Sequence, residues 1–195
     1  MARKGRVVRK TKETEIQISL NLEGSGRREI ATSIAFLDHM LALFCAHGML
    51  DLELKAKGDT HVDYHHTVED IGITLGDALQ EALGKKRRIA RYGSAFVPMD
   101  ESLAAVHIDI SGRPHLRLKL PLRRRKIGDF DTELVKEFFQ AFANHAALTL
   151  HAEATYGDNA HHMVEALFKA FGRALRQAVT VDPQVKGVPS TKGRL

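Results

Sequence analysis

Two copies of one short motif carry the residues best suited to chemistry in this chain. The pentapeptide His-His-x-x-Glu occurs at residues 65–69 and again at residues 161–165. Each copy opens a segment whose apolar residues recur at helical spacing. Imidazole and carboxylate groups are common ligands of first-row transition metals. One copy alone would be weak evidence, but two copies indicate a paired metal site.

The similarity between the two parts of the chain extends beyond the motif. When His161 is aligned with His65, an offset of 96 residues, Gly76 also matches Gly172 and several apolar residues agree. The chain is therefore predicted to be internally duplicated. A further ligand-type residue precedes each motif within an apolar helical pattern, His39 in the first half and Glu137 in the second.

The geometry of a helix indicates how the motif can bind metal. Adjacent residues point about 100° apart, whereas residues three or four positions apart share a face. Glu69 can therefore flank either His65 or His66, but the two imidazoles diverge and fit poorly on one ion. We expect each histidine to reach a different metal, one of them supplied by another subunit. Imidazole mixed with carboxylate indicates a first-row ion such as manganese, iron, cobalt or zinc, and it does not suit a thiolate-bound structural zinc site.

The other histidines need separate treatment, because the chain has eleven of them, more than two ions can bind. His61 and His47 lie near enough in sequence to line a pocket, although His47 also suits a cation at a helix C-terminus. The remaining four have no matching partner in the other half and are predicted to be structural: His107, His115, His145 and His151.

The composition predicts a soluble globular protein of the cytoplasm. Of the 195 residues 44% are apolar and 27% are charged, an ordinary balance for a domain with a substantial core. The single cysteine, Cys45, excludes an intrachain disulfide, indicates a reducing compartment and is expected to be a small buried hydrophobe. No apolar run resembles a signal peptide or a membrane span, so no membrane partner is expected.

The chain has a formal charge of +5 and two basic runs, at residues 85–88 and 123–126. Such charge suits either nucleic acid or a small anionic substrate. Aromatic residues are not interleaved with these runs, so we expect no nucleic-acid partner. Both runs are interpreted as solvated faces.

The period of the apolar residues changes along each half in the same order. In the first half it predicts strands near 6–9, 14–22, 29–33 and 51–57 and helices at 35–46 and 64–83, with Gly24, Ser25 and Gly26 as a hairpin turn. In the second half it predicts strands near 95–99, 104–111, 115–122 and 147–155 and helices at 132–146 and 159–179.

The predicted fold class is α+β. Two duplicated β-β-β-α-β-α half-domains, with helices on one face of mostly antiparallel sheets, would pack as a pseudo-twofold pair. We expect a single functional domain with a first half at 1–90, a second half at 91–186 and a C-terminal tail at 187–195. The tail is too polar and too rich in glycine and proline to belong to the core.

Longer motifs in the chain resemble the imidazoleglycerol-phosphate dehydratase family of histidine biosynthesis. They span essentially the whole chain and comprise FLDHML, HVDYHHTVED, RYG, SGRP, HHMVEALFKAFGRALRQA and PSTKG. The resemblance implies an enzyme with two Mn²⁺ ions per active site. It would dehydrate D-erythro-1-(imidazol-4-yl)glycerol 3-phosphate to 3-(imidazol-4-yl)-2-oxopropyl phosphate and water. It also implies a large homo-oligomer of cubic symmetry, of twenty-four subunits in the family, with sites shared between subunits.

The resemblance also assigns roles to residues. It places metal ligands at His39, His65, His66, Glu69, Glu137, His161, His162 and Glu165. It places substrate contacts at Glu13, His47, Arg91, Arg113, Lys169, Ser190 and Lys192. Many members of the family have histidine where this chain has Glu137, but a carboxylate also binds manganese.

Two of these residues are the expected acid and base. The proton that is removed does not lie beside a carbonyl group, so the metal-bound imidazole ring must act as the electron sink. We expect Glu165 and Glu13 to move the protons, and arginine, lysine and tail residues to hold the phosphate. A frayed tail is the alternative for residues 187–195.

Two other functional classes share parts of this pattern. A metal-storage or metal-sensing protein would use the same ligands and bind nucleic acid in a strongly salt-dependent way. A dinuclear metallohydrolase would use a metal-bound hydroxide and release phosphate.

Overall fold

The computed structural model describes residues 3–195, so the first two residues of the predicted half 1–90 lie outside the described residues. The first half contains β1 (Lys4–Lys10), β2 (Thr14–Asn21), β3 (Arg28–Ala31), α1 (Ala35–Gly48), β4 (Asp51–Gly58) and α2 (His65–Leu83). The second half contains β5 (Tyr92–Met99), β6 (Ser102–Asp109), β7 (His115–Lys119), β8 (Lys126–Ile127), β9 (Phe130–Asp131), α3 (Leu134–His145), β10 (Thr149–Tyr156) and α4 (Ala160–Val179).

The two halves build equivalent sheets. The strand order is β1-β2-β4-β3 in one sheet and β5-β6-β10-β7 in the other. Only the pairs β3–β4 and β7–β10 are parallel within these two sheets. The predicted α+β class, with a duplicated β-β-β-α-β-α unit and mostly antiparallel sheets, is confirmed. The small β8–β9 hairpin interrupts the second unit and was not predicted.

The predicted hairpin turn at Gly24–Gly26 is wrong, because β3 does not pair with β2. Asp51 Oδ1, at the start of β4, accepts hydrogen bonds from the backbone N–H groups of Ser25 and Arg27. These bonds hold the segment beside β4, and β3 then runs parallel to β4, with α1 as the crossover. Asp51 therefore decides a connection that glycine spacing alone misassigns.

The four helices lie between the two sheets. Helix α1 packs against α4, and α2 packs against α3, so both main helix contacts join one half to the other. Phenylalanine side chains fill the space between the helices; Phe44 stacks on Phe171 with ring centroids 4.6 Å apart. The other buried rings in this cluster are Phe138, Phe139, Phe142 and Phe168.

Two glycines allow the helices to approach closely. A Cβ atom at Gly172 would collide with the backbone oxygen of Phe44 in α1. At the matching position, a Cβ atom at Gly76 would lie 2.9 Å from the backbone oxygen of Phe142 in α3. The sequence match between these glycines therefore reflects equivalent helix contacts.

The basic run at 85–88 is not wholly a solvated face. Lys86 is only 8% exposed, and burial lowers its pKa. The C-terminal segment lies alongside this run, since the N–H of Arg88 donates to the Gly187 carbonyl and the N–H of Asp182 donates to the Arg88 carbonyl. The run at 123–126 is exposed, as predicted. No helix within residues 3–195 combines the length and apolar character that crossing a membrane requires.

Candidate metal centre

Each motif lies at the start of a long helix. His65 is the first residue of α2, and His161 is the second residue of α4, where the Asn159 side chain accepts a hydrogen bond from the His161 N–H. The ring centroids of His65 and His66 are 6.2 Å apart and their planes meet at 85°. The second pair has nearly the same geometry, 6.2 Å and 86°. The neighbouring imidazoles are therefore nearly perpendicular, and in the described residues no cluster of metal-type donors contains both histidines of a pair.

Three predicted ligands converge between α1 and α4. The Nε2 atoms of His39 and His161 lie 3.4 and 3.1 Å from the same oxygen, Oε2 of Glu165. The His39 and His161 side chains are 48% and 41% exposed, whereas that of Glu165 is only 10% exposed. This group, the His39 cluster, is a half-open site in which a carboxylate at the base faces two imidazoles.

The charges around the His39 cluster suit metal binding. Burial raises the pKa of the Glu165 carboxyl. This effect is outweighed by the hydrogen bond and charge of Lys169 and by hydrogen bonds from His161 and His39, so the pKa lies below its ordinary value. Lys169 Nζ lies 2.7 Å from Glu165 Oε1. Burial, together with the positive charges of Lys169 and Arg173, lowers the pKa of His47. At neutral pH the site therefore offers an ionised carboxylate and has an uncharged imidazole nearby.

A second convergence lies near the start of α2. Donor atoms of Glu13, Asp59 and His66 lie within 4.8 Å of one another. His66 Nδ1 is 2.9 Å from Asp59 Oδ2 and 3.9 Å from Glu13 Oε2. The other oxygen of Asp59, Oδ1, is buried and has no hydrogen-bond partner. The hydrogen bond to Asp59 raises the pKa of His66, although burial opposes this effect.

The structure keeps the other predicted ligands apart. Within residues 3–195 the two groups above are the only ones in which three such donors converge. His65 is exposed at the start of α2, and Glu69 and Glu137 are partly buried on α2 and α3. His162 instead contacts Glu101, with His162 Nδ1 2.8 Å from Glu101 Oε2.

The two arginines predicted to bind phosphate, Arg91 and Arg113, lie close to the C-terminal tail. Arg91 forms two bonds to Asp109, at 2.7 and 3.1 Å, and a third to the Pro189 carbonyl at 2.9 Å. Asp109 raises the pKa of Arg91 further above its already high value. The tail also approaches Gly112, the residue before Arg113. A Cβ atom added at Gly112 would collide with the backbone of Leu195. The tail carrying Ser190 and Lys192 thus lies against the domain, while its contact with a phosphate stays a prediction.

Sequence reasoning missed Asp59 and Glu101, the carboxylates that contact His66 and His162. Both lie outside the repeated motif, and they come from different places in the two halves. Asp59 follows β4, whereas Glu101 lies between β5 and β6. Spacing relative to the motif therefore carried no common signal for them.

Comparison with known proteins decides the family. The family described as imidazoleglycerol-phosphate dehydratase matches residues 32–175 of the chain. The chain belongs to the imidazoleglycerol-phosphate dehydratase family. The dehydratase of Geobacter metallireducens is 58% identical over 195 residues, which is 100% of both chains. That of Acetivibrio thermocellus is 56% identical, also over 100% of both chains.

Solved structures of other imidazoleglycerol-phosphate dehydratases share the fold. The enzyme from Staphylococcus aureus has a TM-score of 0.83 and 44% identity, covering 91% of this chain and 99% of that one. The enzyme from Pyrococcus furiosus has a TM-score of 0.83 and 39% identity, covering 97% and 100%. The family resemblance read from the motifs is confirmed, and the chain is a dehydratase, a hydro-lyase of histidine biosynthesis.

Proposed function

We propose that this dehydratase converts D-erythro-1-(imidazol-4-yl)glycerol 3-phosphate to 3-(imidazol-4-yl)-2-oxopropyl phosphate and water, with two Mn²⁺ ions per active site. The observation that carries the metal requirement is the convergence of His39, His161 and the ionised Glu165 on one point. Mixed nitrogen and oxygen donors without thiolate suit a first-row ion, and the family resemblance selects manganese among these ions. The buried cysteine supports a reducing compartment, and we infer the cytoplasm.

We divide the eight ligands between two ions from the geometry of one cluster and from the duplication of the chain. The His39 cluster supplies three ligands from α1 and α4. The duplication makes Glu137, His65 and Glu69 the equivalent trio on α3 and α2. Neither His66 nor His162 shares a donor cluster with the histidine beside it in residues 3–195, so we assign neither to the trio on its own helix. Each would complete a trio on a neighbouring subunit, giving four protein ligands per ion.

This division requires a closed assembly of identical subunits. A site built from two surfaces of the same chain forms only when one copy docks on another, and closed symmetry satisfies every copy. The exposed fractions of His39 and His161 agree with this requirement, because both side chains remain partly open to a neighbouring subunit. We infer the cubic homo-oligomer of twenty-four subunits, and neither nucleic acid nor a membrane as a partner.

The chain's own residues supply the rest of the chemistry. When bound, Mn²⁺ would favour loss of the N–H proton from the imidazole ring of the substrate, so that the electrons of the ring could expel the neighbouring hydroxyl as water once an acid protonates it. Glu13 has an exposed side chain 3.9 Å from His66, and we assign it to proton transfer on the substrate, together with Glu165. Lys169 holds Glu165 in its ionised form. Arg113, Ser190 and Lys192 are assigned to the phosphate.

The decisive experiment uses metal-stripped, fully assembled protein and the imidazole glycerol phosphate substrate. The ketone product and free phosphate are measured with and without added Mn²⁺. Ketone formed only with Mn²⁺ is the expected result. Free phosphate without ketone would favour a metallohydrolase, and neither product from assembled protein would favour metal storage or sensing.

A further inference from the structure

The β1–β2 turn and the β5–β6 turn occupy equivalent places in the two halves. Gly5 in β1 packs against the backbone oxygen of Ala78 in α2, and Gly93 in β5 packs in the same way against Ala174 in α4. Each turn ends with a glutamate directly before the next strand, Glu13 before β2 and Glu101 before β6. The duplication therefore produced two matching carboxylates, each near the second histidine of a motif.

The copy in the second half is fully engaged by its own subunit. One oxygen of Glu101, Oε2, lies 2.8 Å from His162 Nδ1. The other oxygen accepts from the hydroxyl of Ser102 at 2.9 Å and from the backbone N–H of Asn159 at 2.9 Å. Glu101 thereby joins the turn, the N-terminal end of α4 and the imidazole ring. These bonds hold the pKa of its carboxyl well below the ordinary value, the largest effect being the His162 hydrogen bond.

The copy in the first half is left open. Glu13 is 55% exposed at its side chain, and it approaches His66 no closer than 3.9 Å. The contact that Glu101 makes in the second half is made here by Asp59, whose Oδ2 lies 2.9 Å from His66 Nδ1. Asp59 is only 17% exposed at its side chain and comes from the end of β4, not from the turn.

We propose that Asp59 and Glu101 are the positioning residues of the two metal sites, and that Asp59 has released Glu13 for the substrate. A carboxylate can only accept a hydrogen bond, so the Nδ1 atoms of His66 and His162 must carry the hydrogen. The Nε2 atoms are then the bare nitrogens that a metal needs, and both rings are fixed in direction. This inference rests on the proposed division of ligands, in which these two histidines complete sites on neighbouring subunits.

The test compares Asp59→Asn, Glu101→Gln and Glu13→Gln with the wild-type oligomer. Mn²⁺ affinity is measured by calorimetry, and occupancy of each site by anomalous diffraction from crystals grown at limiting Mn²⁺. We expect Asp59→Asn to weaken only the site that His66 completes, and Glu101→Gln only the site that His162 completes, each by about 10–100-fold. Glu13→Gln should bind two ions with unchanged affinity while turnover falls.

Ser102→Ala is the matched control, because it removes one hydrogen bond from Glu101 without touching His162. It should lower the Tm of the metal-free protein somewhat and leave both sites intact. Equal weakening of both sites by Glu101→Gln would show a general structural role and overturn the proposal, as would unchanged affinity in either positioning variant. If Glu101→Gln does not assemble, Asp59→Asn alone decides. Wild-type protein without two Mn²⁺ sites would instead refute the proposed function itself.

Discussion

Replacing Gly172 with alanine should test whether the close approach of α1 and α4 builds the metal site. The added Cβ would collide with the Phe44 carbonyl and lie 3.0 Å from the Gly48 nitrogen, whereas ordinary contacts begin at 3.4 Å. The Phe44 oxygen is the closer obstacle, so the helices must separate by more than the roughly 0.4 Å that the Gly48 contact alone would require. Both obstructing atoms belong to the backbone, so no side-chain rotation relieves the collision.

The cost of this substitution can be worked out from two opposing effects. Overpacking a tight contact costs about 1–3 kcal/mol, and a rigid backbone obstacle belongs near the upper end. Alanine gains about 1 kcal/mol over glycine within a helix. We expect a net loss of about 2 kcal/mol, measured by urea unfolding of the metal-free protein at one fixed protein concentration.

The same displacement should weaken metal binding at one site. His39 moves with α1, whereas His161 and Glu165 move with α4, and metal–ligand distances tolerate only about 0.2 Å. Gly76→Ala is the matched control, because its Cβ would collide with α3 and displace Glu137 instead. Gly172→Ala should therefore weaken the site of the His39 cluster, and Gly76→Ala the other site. Unchanged stability and Mn²⁺ affinity in Gly172→Ala would refute this reasoning.

Three further results are expected. Asp51→Asn should lose about 1–3 kcal/mol at pH 7 because the carboxylate binds the N–H of Ser25. Because the pKa of Asp51 is lowered in the folded protein, its carboxylate contributes fully to the free energy of unfolding above pH ~4, and this contribution is lost on further acidification. The difference in urea midpoint between wild type and variant should therefore narrow below that pH. Cys45 is buried and burial raises its pKa to about 12, so a thiol-specific reagent should modify it only as fast as the protein unfolds. The reaction is measured by absorbance, and rapid modification of the folded protein would contradict this expectation. Deleting the residues after Val188 removes the Pro189 contact with Arg91, and should raise KM for the phosphorylated substrate in steady-state assays; an unchanged KM would indicate a frayed tail.

The sequence predicted those parts of the fold that depend on local periodicity. The helices that carry the motifs are predicted at 64–83 and 159–179 and occur at His65–Leu83 and Ala160–Val179. The prediction succeeds because the spacing of apolar residues directly reports the amphipathic face of a helix. The β8–β9 hairpin was missed, since strands of two residues in a polar stretch leave no periodic signal. The β2–β3 connection was misassigned because its determinant, Asp51, lies on a different strand.

The candidate site divides in the same way. His39 and Glu165 were identified from spacing and family motifs, and the fold brings them together. Glu101 and Asp59 were not, because their role depends on a hydrogen bond formed across the fold. The donors of His65, Glu69 and Glu137 do not form a cluster within residues 3–195, so the assignment of this trio rests on the duplication and on the family motifs.

The arrangement of the helices between the sheets has a consequence for how such a protein could arise. Since α1 packs on α4 and α2 on α3, a half-length chain would leave its apolar helix faces uncovered unless a twin covered them. A half-length ancestor of this fold would therefore have been an obligate homodimer with two identical sites, and any substitution would have changed both sites at once. After the two copies were joined in one chain, the two sites no longer had to change together. Each copy of a residue could then change alone, and one carboxylate could be fixed as scaffolding while its counterpart stayed available to a substrate.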